Sequence, residues 1–170
     1  MIEMDPLSTE LRVAFGWTLK YAHRYDEAIR YLQQMLKEDP NLPEIAHYHL
    51  VWNYAMAGRY AEAVAECEKI DETQACAYAY ARAGHRKQAL KFARENEVAD
   101  PVFTAATYFV LGDREKAFQL LERGYREHLP RMAWIWAASE LDPFRSDARF
   151  QDILRRMNFP PNPAQSPGER

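Results

Sequence analysis

Four segments of this sequence align with one another, and that self-similarity constrains the fold more than any other feature. They are His23-Arg24-Tyr25-Asp26-Glu27-Ala28, Gly58-Arg59-Tyr60-Ala61-Glu62-Ala63, Gly84-His85-Arg86-Lys87-Gln88-Ala89 and Gly112-Asp113-Arg114-Glu115-Lys116-Ala117. Each has an amphipathic stretch before it and another after it. Glycine at 58, 84 and 112 suits the left-handed residue that closes a helix, and His23 departs from that rule. The alanine five residues on falls one turn into the next helix, where two paired helices cross closely and a larger side chain would push them apart. Pro40 and Pro101 follow second helices and stop them. The unit is therefore helix, short turn, helix, repeated.

The aligned alanines stand 35, 26 and 28 residues apart. Losing about eight residues removes about two helical turns, so the third and fourth units need shorter helices, and the array curves less regularly after residue 70. Helices are expected at about 8–22, 25–38, 43–57, 60–70, 73–83, 86–96, 101–111, 114–128, 131–140 and 146–157. The chain, at 170 residues with 48% apolar and 28% charged residues, can bury such a core and remain polar outside.

Several of the repeated positions, together with Phe15-Gly16-Trp17-Thr18-Leu19 through Ala28, Leu32 and Pro40, follow a known spacing. The chain resembles the tetratricopeptide repeat family. The stretch Glu140-Leu141-Asp142-Pro143-Phe144-Arg145-Ser146-Asp147-Ala148-Arg149-Phe150 sharpens the likeness. It is similar to the closing segment of tetratricopeptide arrays in bacterial signalling proteins, among them winged-helix regulators, nucleotide cyclases and serine/threonine kinases. There it commonly reads Asp-Pro-Leu-Arg-Ser-Asp-Pro-Arg-Phe; here Phe144 stands for a leucine and Ala148 for a proline. With Asp147 as N-cap, position 148 is the first helical residue, where proline is favoured but not required.

The resemblance implies an all-α fold: a right-handed α-α superhelix of about ten antiparallel helices with a C-terminal capping helix. Repeats are expected at about 9–42, 43–70, 71–97 and 98–129, with a capping pair at 131–157 whose Phe150, Ile153, Leu154 and Met157 hide the open end. Residues 1–7 read as the end of a preceding repeat or an arm, because Met4-Asp5-Pro6-Leu7-Ser8 looks like the Asp39-Pro40-Asn41 junction, with Ser8 as N-cap of the first helix. The chain is then expected to be a fragment of a longer protein or a product that starts in mid-array. Residues 158–170 are proline-rich and expected to be disordered.

The resemblance also implies a function: a non-catalytic scaffold that binds a protein or peptide on the concave face, lined by the first helix of each pair. The partner-binding residues carried over are Val13, Trp17, Lys20 and Tyr21 in the first repeat, Tyr48, Trp52 and Met56 in the second, and Tyr78 and Arg82 in the third. Ile45, Gln74, Val102, Ala106, Phe109 and Val110 complete that face. The family's lysine- and asparagine-rich clamp for a C-terminal carboxylate is not visible, since its first two positions are Val13 and Trp17. Trp17, Trp52 and Tyr78 instead form an aromatic ladder that either lines the groove or fills the seam between neighbouring first helices. Trp134 and Trp136, two apart, face different sides of a helix, one core and the other a cap or exposed. The alternative is a structural, self-associating or intramolecular regulatory module of a larger signalling protein, with a homodimer formed through the N-terminal end.

No catalytic constellation, cofactor motif or metal set is visible. His47 and His49 point about 200° apart on a helix and cannot share a metal, and there is no phosphate-cradling glycine loop. A net charge of −3 with scattered lysine and arginine argues against nucleic acid. No apolar stretch reaches the ~20 residues a membrane helix needs, so direct membrane insertion is not expected. Cys67 and Cys76 read as buried free thiols, with a disulfide or redox pair as the alternative. A cytoplasmic location is expected, although some of the proteins resembled carry a membrane anchor upstream.

Overall fold

The computed structural model describes residues 9–39, 44–70 and 74–160; the expectations for Ser8, Pro40, the N-terminal arm and the tail beyond residue 160 lie outside it. The helices are α1 (Thr9–Tyr21), α2 (Tyr25–Glu38), α3 (Ile45–Met56), α4 (Tyr60–Cys67), α5 (Gln74–Arg82), α6 (Arg86–Asn96), α7 (Pro101–Val110), α8 (Arg114–Arg126) and α9 (Ala148–Arg156). Two 3₁₀ segments, Pro130–Trp134 and Ser139–Phe144, lie between α8 and α9. Each odd helix from α1 to α7 packs on the even helix that follows it, and α1, α3, α5 and α7 also pack on one another in sequence. This is an all-helical solenoid of antiparallel pairs.

The turns within the pairs share one backbone device. Arg24 N donates to Leu19 O (2.9 Å), Arg59 N to Tyr54 O (2.9 Å), His85 N to Tyr80 O (2.8 Å) and Asp113 N to Tyr108 O (2.9 Å). Each such bond satisfies an orphan carbonyl at a helix end and needs a left-handed residue just before the donor. Gly58, Gly84 and Gly112 supply it with φ of 78°, 82° and 85°. His23 supplies it too, at φ 57°, so the departure in sequence leaves the geometry unchanged at a cost of about 1 kcal/mol. Its ring pairs with the Tyr25 hydroxyl at 2.8 Å, Nδ1 to Oη. The four aligned alanines, Ala28, Ala63, Ala89 and Ala117, are fully buried, as the crossing argument requires.

Asp100 caps α7 through the Phe103 N–H (3.2 Å), and Pro101 sits at the first turn, so this proline begins α7 rather than merely ending α6. The shortening expected in the third and fourth units begins one helix earlier, in α4 and α5 of 8 and 9 residues, while α8 in the fourth unit keeps 13. Here the expectation of free thiols is corrected: Cys67 at the end of α4 and Cys76 in α5 form a disulfide, with Cα atoms 5.6 Å apart. The truncated pair brings the end of one helix beside the start of the next, at ordinary disulfide range.

The helix expected at 131–140 is replaced by the two 3₁₀ segments. Ala138 is extended (ψ 102°), which breaks the helix, and Pro143 denies the next turn an N–H donor. No strong breaker lies between Trp134 and Ser139. On either side of the break the segment contacts the first helices, as described next. Beyond it Asp147 caps α9, and Phe150, Ile153 and Leu154 are buried.

Candidate partner-binding face

The first helices bring much of the sequence-predicted face together. Trp17, Lys20 and Tyr21 from α1 and Tyr48 and Trp52 from α3 surround one small cavity with Phe103 of α7, Arg131 and Glu140. Tyr78 joins through Trp52, ring centroids 5.1 Å apart. Arg82 lies over the Tyr60 ring at 5.1 Å and hydrogen-bonds to its hydroxyl, which pins it to the edge of the face. Val13 is a core residue, and Met56 borders a separate hollow with His23, Arg24 and Tyr25 at the turn edge. Of the accessory residues, Val102, Ala106 and Phe109 are buried, and Ile45 is exposed.

The face is occupied by the chain itself. Residues 130–144 lie against its inner side, over 100 residues away in sequence from α1. Lys20 Nζ meets Glu140 Oε1 and Oε2 at 3.1 and 2.9 Å, with the two residues only 2% and 1% exposed. The same ammonium stands over the Trp52 ring at 4.8 Å and the Tyr21 ring at 5.0 Å. Removing one member of a buried pair like this costs about 3–5 kcal/mol, because the survivor is left charged and dry. Trp134 stacks on Trp17 (5.4 Å, 28°) and on Tyr21 (5.6 Å, 18°). Arg131 Nε approaches Asp100 Oδ2 at 3.3 Å, and its guanidinium lies over Phe103 at 5.3 Å.

A polar line continues across the repeats beneath this segment. Gln74 Nε2 donates to Tyr48 Oη (2.9 Å) and to Asp100 Oδ2 (3.2 Å), linking α3, α5 and the cap of α7. Burial pushes the Tyr48 hydroxyl up to about 12 and the Tyr21 hydroxyl up as well, so both stay protonated at neutral pH. Burial raises the Asp100 carboxyl, while Arg131 opposes it. Burial, then the nearby Lys20 and Arg131 charges, pushes the His49 imidazole down to about 4. His49 packs on Trp17 at 5.5 Å, and its Nδ1 is buried without a hydrogen-bond partner. The cavity enclosed here measures about 10 Å³, room for about one water-sized sphere.

Sequence reasoning missed His49, Asp100, Phe103, Arg131, Trp134 and Glu140 as members of this face. Asp100-Pro101 carried a capping signal but none for a charge partner, and nothing in the local pattern links Glu140 to Lys20. The Trp134 and Trp136 prediction divides: Trp134 is half-exposed and stacked on the face, while Trp136 is partly buried and donates Nε1–H to Pro160 O at 3.3 Å. His47 and His49 do diverge, His47 pairing with Glu66 at 2.7 Å. Among the described residues no group of three or more His, Cys, Asp or Glu could hold a metal ion, and no helix is long and apolar enough to cross a membrane.

Compared with known proteins, residues 19–83, less than half of the chain, match the family model for the tetratricopeptide repeat. That span runs from the end of α1 to just past α5, and so contains Lys20, Tyr21, Tyr48, Trp52, Met56, Tyr78 and Arg82. No curated protein and no solved structure matches the chain.

Proposed function

We propose that this chain, whose residues 19–83 match the family model for the tetratricopeptide repeat, a class of repeats that mediates protein–protein interaction and is typically a non-catalytic scaffold, binds a protein segment on its concave face. The observation that carries the reading is that Trp17, Lys20, Tyr21, Tyr48 and Trp52 converge on one surface able to hold a stretch of polypeptide. That surface already holds one, residues 130–144 of the same chain. Aromatic rings and a buried cation on a rigid helical floor are the elements that dominate peptide affinity. Binding of an external segment on this face requires residues 130–144 to yield. The chain is thus both scaffold and its own first occupant, and a regulatory role within a larger signalling protein fits the same observation.

The test is to pan the immobilised chain against a random peptide library and map each recovered peptide by hydrogen exchange. Peptides that alter exchange in α1, α3 and the 130–144 segment support the reading. Peptides that protect only the even helices move the partner site to the convex side and end it. Self-association through the N-terminal end, where Phe15 and Ile45 are exposed, predicts a concentration-dependent dimer in light scattering.

A further inference from the structure

We propose that residues 130–144 are a built-in stand-in for the partner. The external ligand is then a protein segment with the same three elements: a basic residue, an aromatic residue three positions on, and a carboxylate nine positions on. This rests on the concave-face reading above and names the ligand chemistry of that face.

Three anchors define the pattern. Arg131 meets Asp100 at 3.3 Å, Trp134 stacks on Trp17 and Tyr21, and Glu140 meets Lys20 at 2.9 Å. The receptor groups come from α1 and the start of α7, so the pattern spans the face rather than one repeat. Charge complementarity runs in one direction: an acid receives the first anchor and a lysine receives the last. A segment lying in the opposite direction would set Arg131 against Lys20 and Glu140 against Asp100, and like charges brought together out of water exclude that orientation.

Two features make the polar contacts of residues 130–140 exchangeable, although Met132, Ile135 and Ala138 between them are buried among apolar side chains. The segment is made of short 3₁₀ turns, whose hydrogen bonds are poorer than those of an α-helix. Its aromatic anchor, Trp134, remains 42% exposed, so the stack with Trp17 and Tyr21 is open to water at one edge. The receptor is also incompletely satisfied: His49 Nδ1, beside Trp17, is buried with no hydrogen-bond partner. Displacement would return the Glu140 charge to water but also uncover Met132, Ile135 and Ala138, so an incoming segment must cover that apolar surface as well.

The experiment uses the full chain and a fluorescein-labelled synthetic peptide with the sequence of residues 129–145. Fluorescence anisotropy compares wild type with a Trp134→Ala, Glu140→Gln variant, with circular dichroism to establish that both are helical. The variant is expected to bind at least about tenfold more tightly than wild type, because its internal occupant is weakened. A peptide carrying Trp134→Ala and Glu140→Ala should lose about tenfold or more. Should the variant be unfolded, wild type decides: saturating unlabelled peptide should speed amide exchange within residues 130–144, and the doubly substituted peptide should not. A folded variant that binds the peptide no better than wild type, or exchange unchanged by saturating peptide, overturns the proposal. A stable dimer that excess peptide does not dissociate assigns the face to a second copy and overturns it as well. Library peptides that map to the face but lack the three-element pattern refute this ligand chemistry while leaving the concave-face reading intact. Recovery of convex-side binders alone refutes both.

Discussion

Residues 131–140 and residues 141–154 follow one another in the chain and differ in which contacts hold them. The first stretch meets Lys20, Asp100 and a set of aromatic rings through its charged and aromatic side chains, beside the buried Met132, Ile135 and Ala138. The second rests on hydrocarbon. Phe144 stacks on Phe109 with centroids 3.6 Å apart, and Leu141, Phe150, Ile153 and Leu154 are buried at the end of the solenoid. Apolar burial is non-directional and scales with area, whereas a buried charge requires a matching charge opposite it. Residues 130–144 therefore have an exchangeable, charge-paired part up to Glu140 and an apolar end, Leu141 and Phe144, that joins the closure of the solenoid.

The sharpest way to break that comparison is to damage the closure. Phe150→Ala should destabilise the whole array by about 3–5 kcal/mol, since the ring is fully buried and its removal leaves a cavity. Urea denaturation followed by circular dichroism measures it. A loss below about 1 kcal/mol would make α9 a peripheral appendage and remove the contrast between the two stretches.

Damage to the ionic stretch should behave differently. Lys20→Met leaves Glu140 charged in a dry site and should cost about 3 kcal/mol. The Lys20→Met, Glu140→Leu double variant should recover most of that loss, because no lone charge remains. The same denaturation curves decide it. Equal loss in the single and double variants would show that the segment is held by shape rather than by the pair.

The two stretches also differ in how far they could be read from sequence. The closure was legible: Asp147 as a cap, and Phe150, Ile153 and Leu154 at helical spacing, are local patterns. The paired helices were legible for the same reason, down to the alanines at 28, 63, 89 and 117. The occupied face was only half legible. Helical periodicity turns Trp17, Lys20, Tyr48, Trp52 and Tyr78 to one side, but says nothing of what meets them there. Glu140 reaches Lys20 across 120 residues, and that long-range contact outweighs the helical propensity of residues 131–140. The disulfide was likewise hidden, because its two cysteines lie on different helices and depend on how closely those helices end and begin.

Acid sharpens the comparison from another side. His49 titrates at about 4 in the folded chain against an ordinary value near 6.5, so the unfolded chain binds the extra proton between those values. Stability contributed by the neutral imidazole is complete well above pH 6.5 and is lost as pH falls through 4, by about 3 kcal/mol in all. The raised Asp100 carboxyl acts the other way and relieves part of the loss. His49→Gln should therefore flatten the fall in melting temperature between pH 6.5 and 4.5. Protection factors, corrected for the slower intrinsic exchange in acid, should fall first within residues 130–140, while 141–154 stay protected; simultaneous opening of both would make them one unit.

The smallest effect concerns the boundary where the closure begins. Asp147 caps α9 by accepting from the Arg149 N–H at 2.8 Å, and its carboxylate also pairs with Arg114 at the start of α8. Asp147→Ala removes both and should cost about 1–1.5 kcal/mol. Asp147→Asn keeps an acceptor for the cap and loses only the charge pair. That pair is half-exposed on the arginine side, so its loss should cost about 0.5 kcal/mol or less. If the asparagine variant were as damaged as the alanine one, the charge pair would govern the junction, and ionic character would extend past Phe144 into the closure. A large gap between the two variants places the change of character before residue 147, where the buried rings begin.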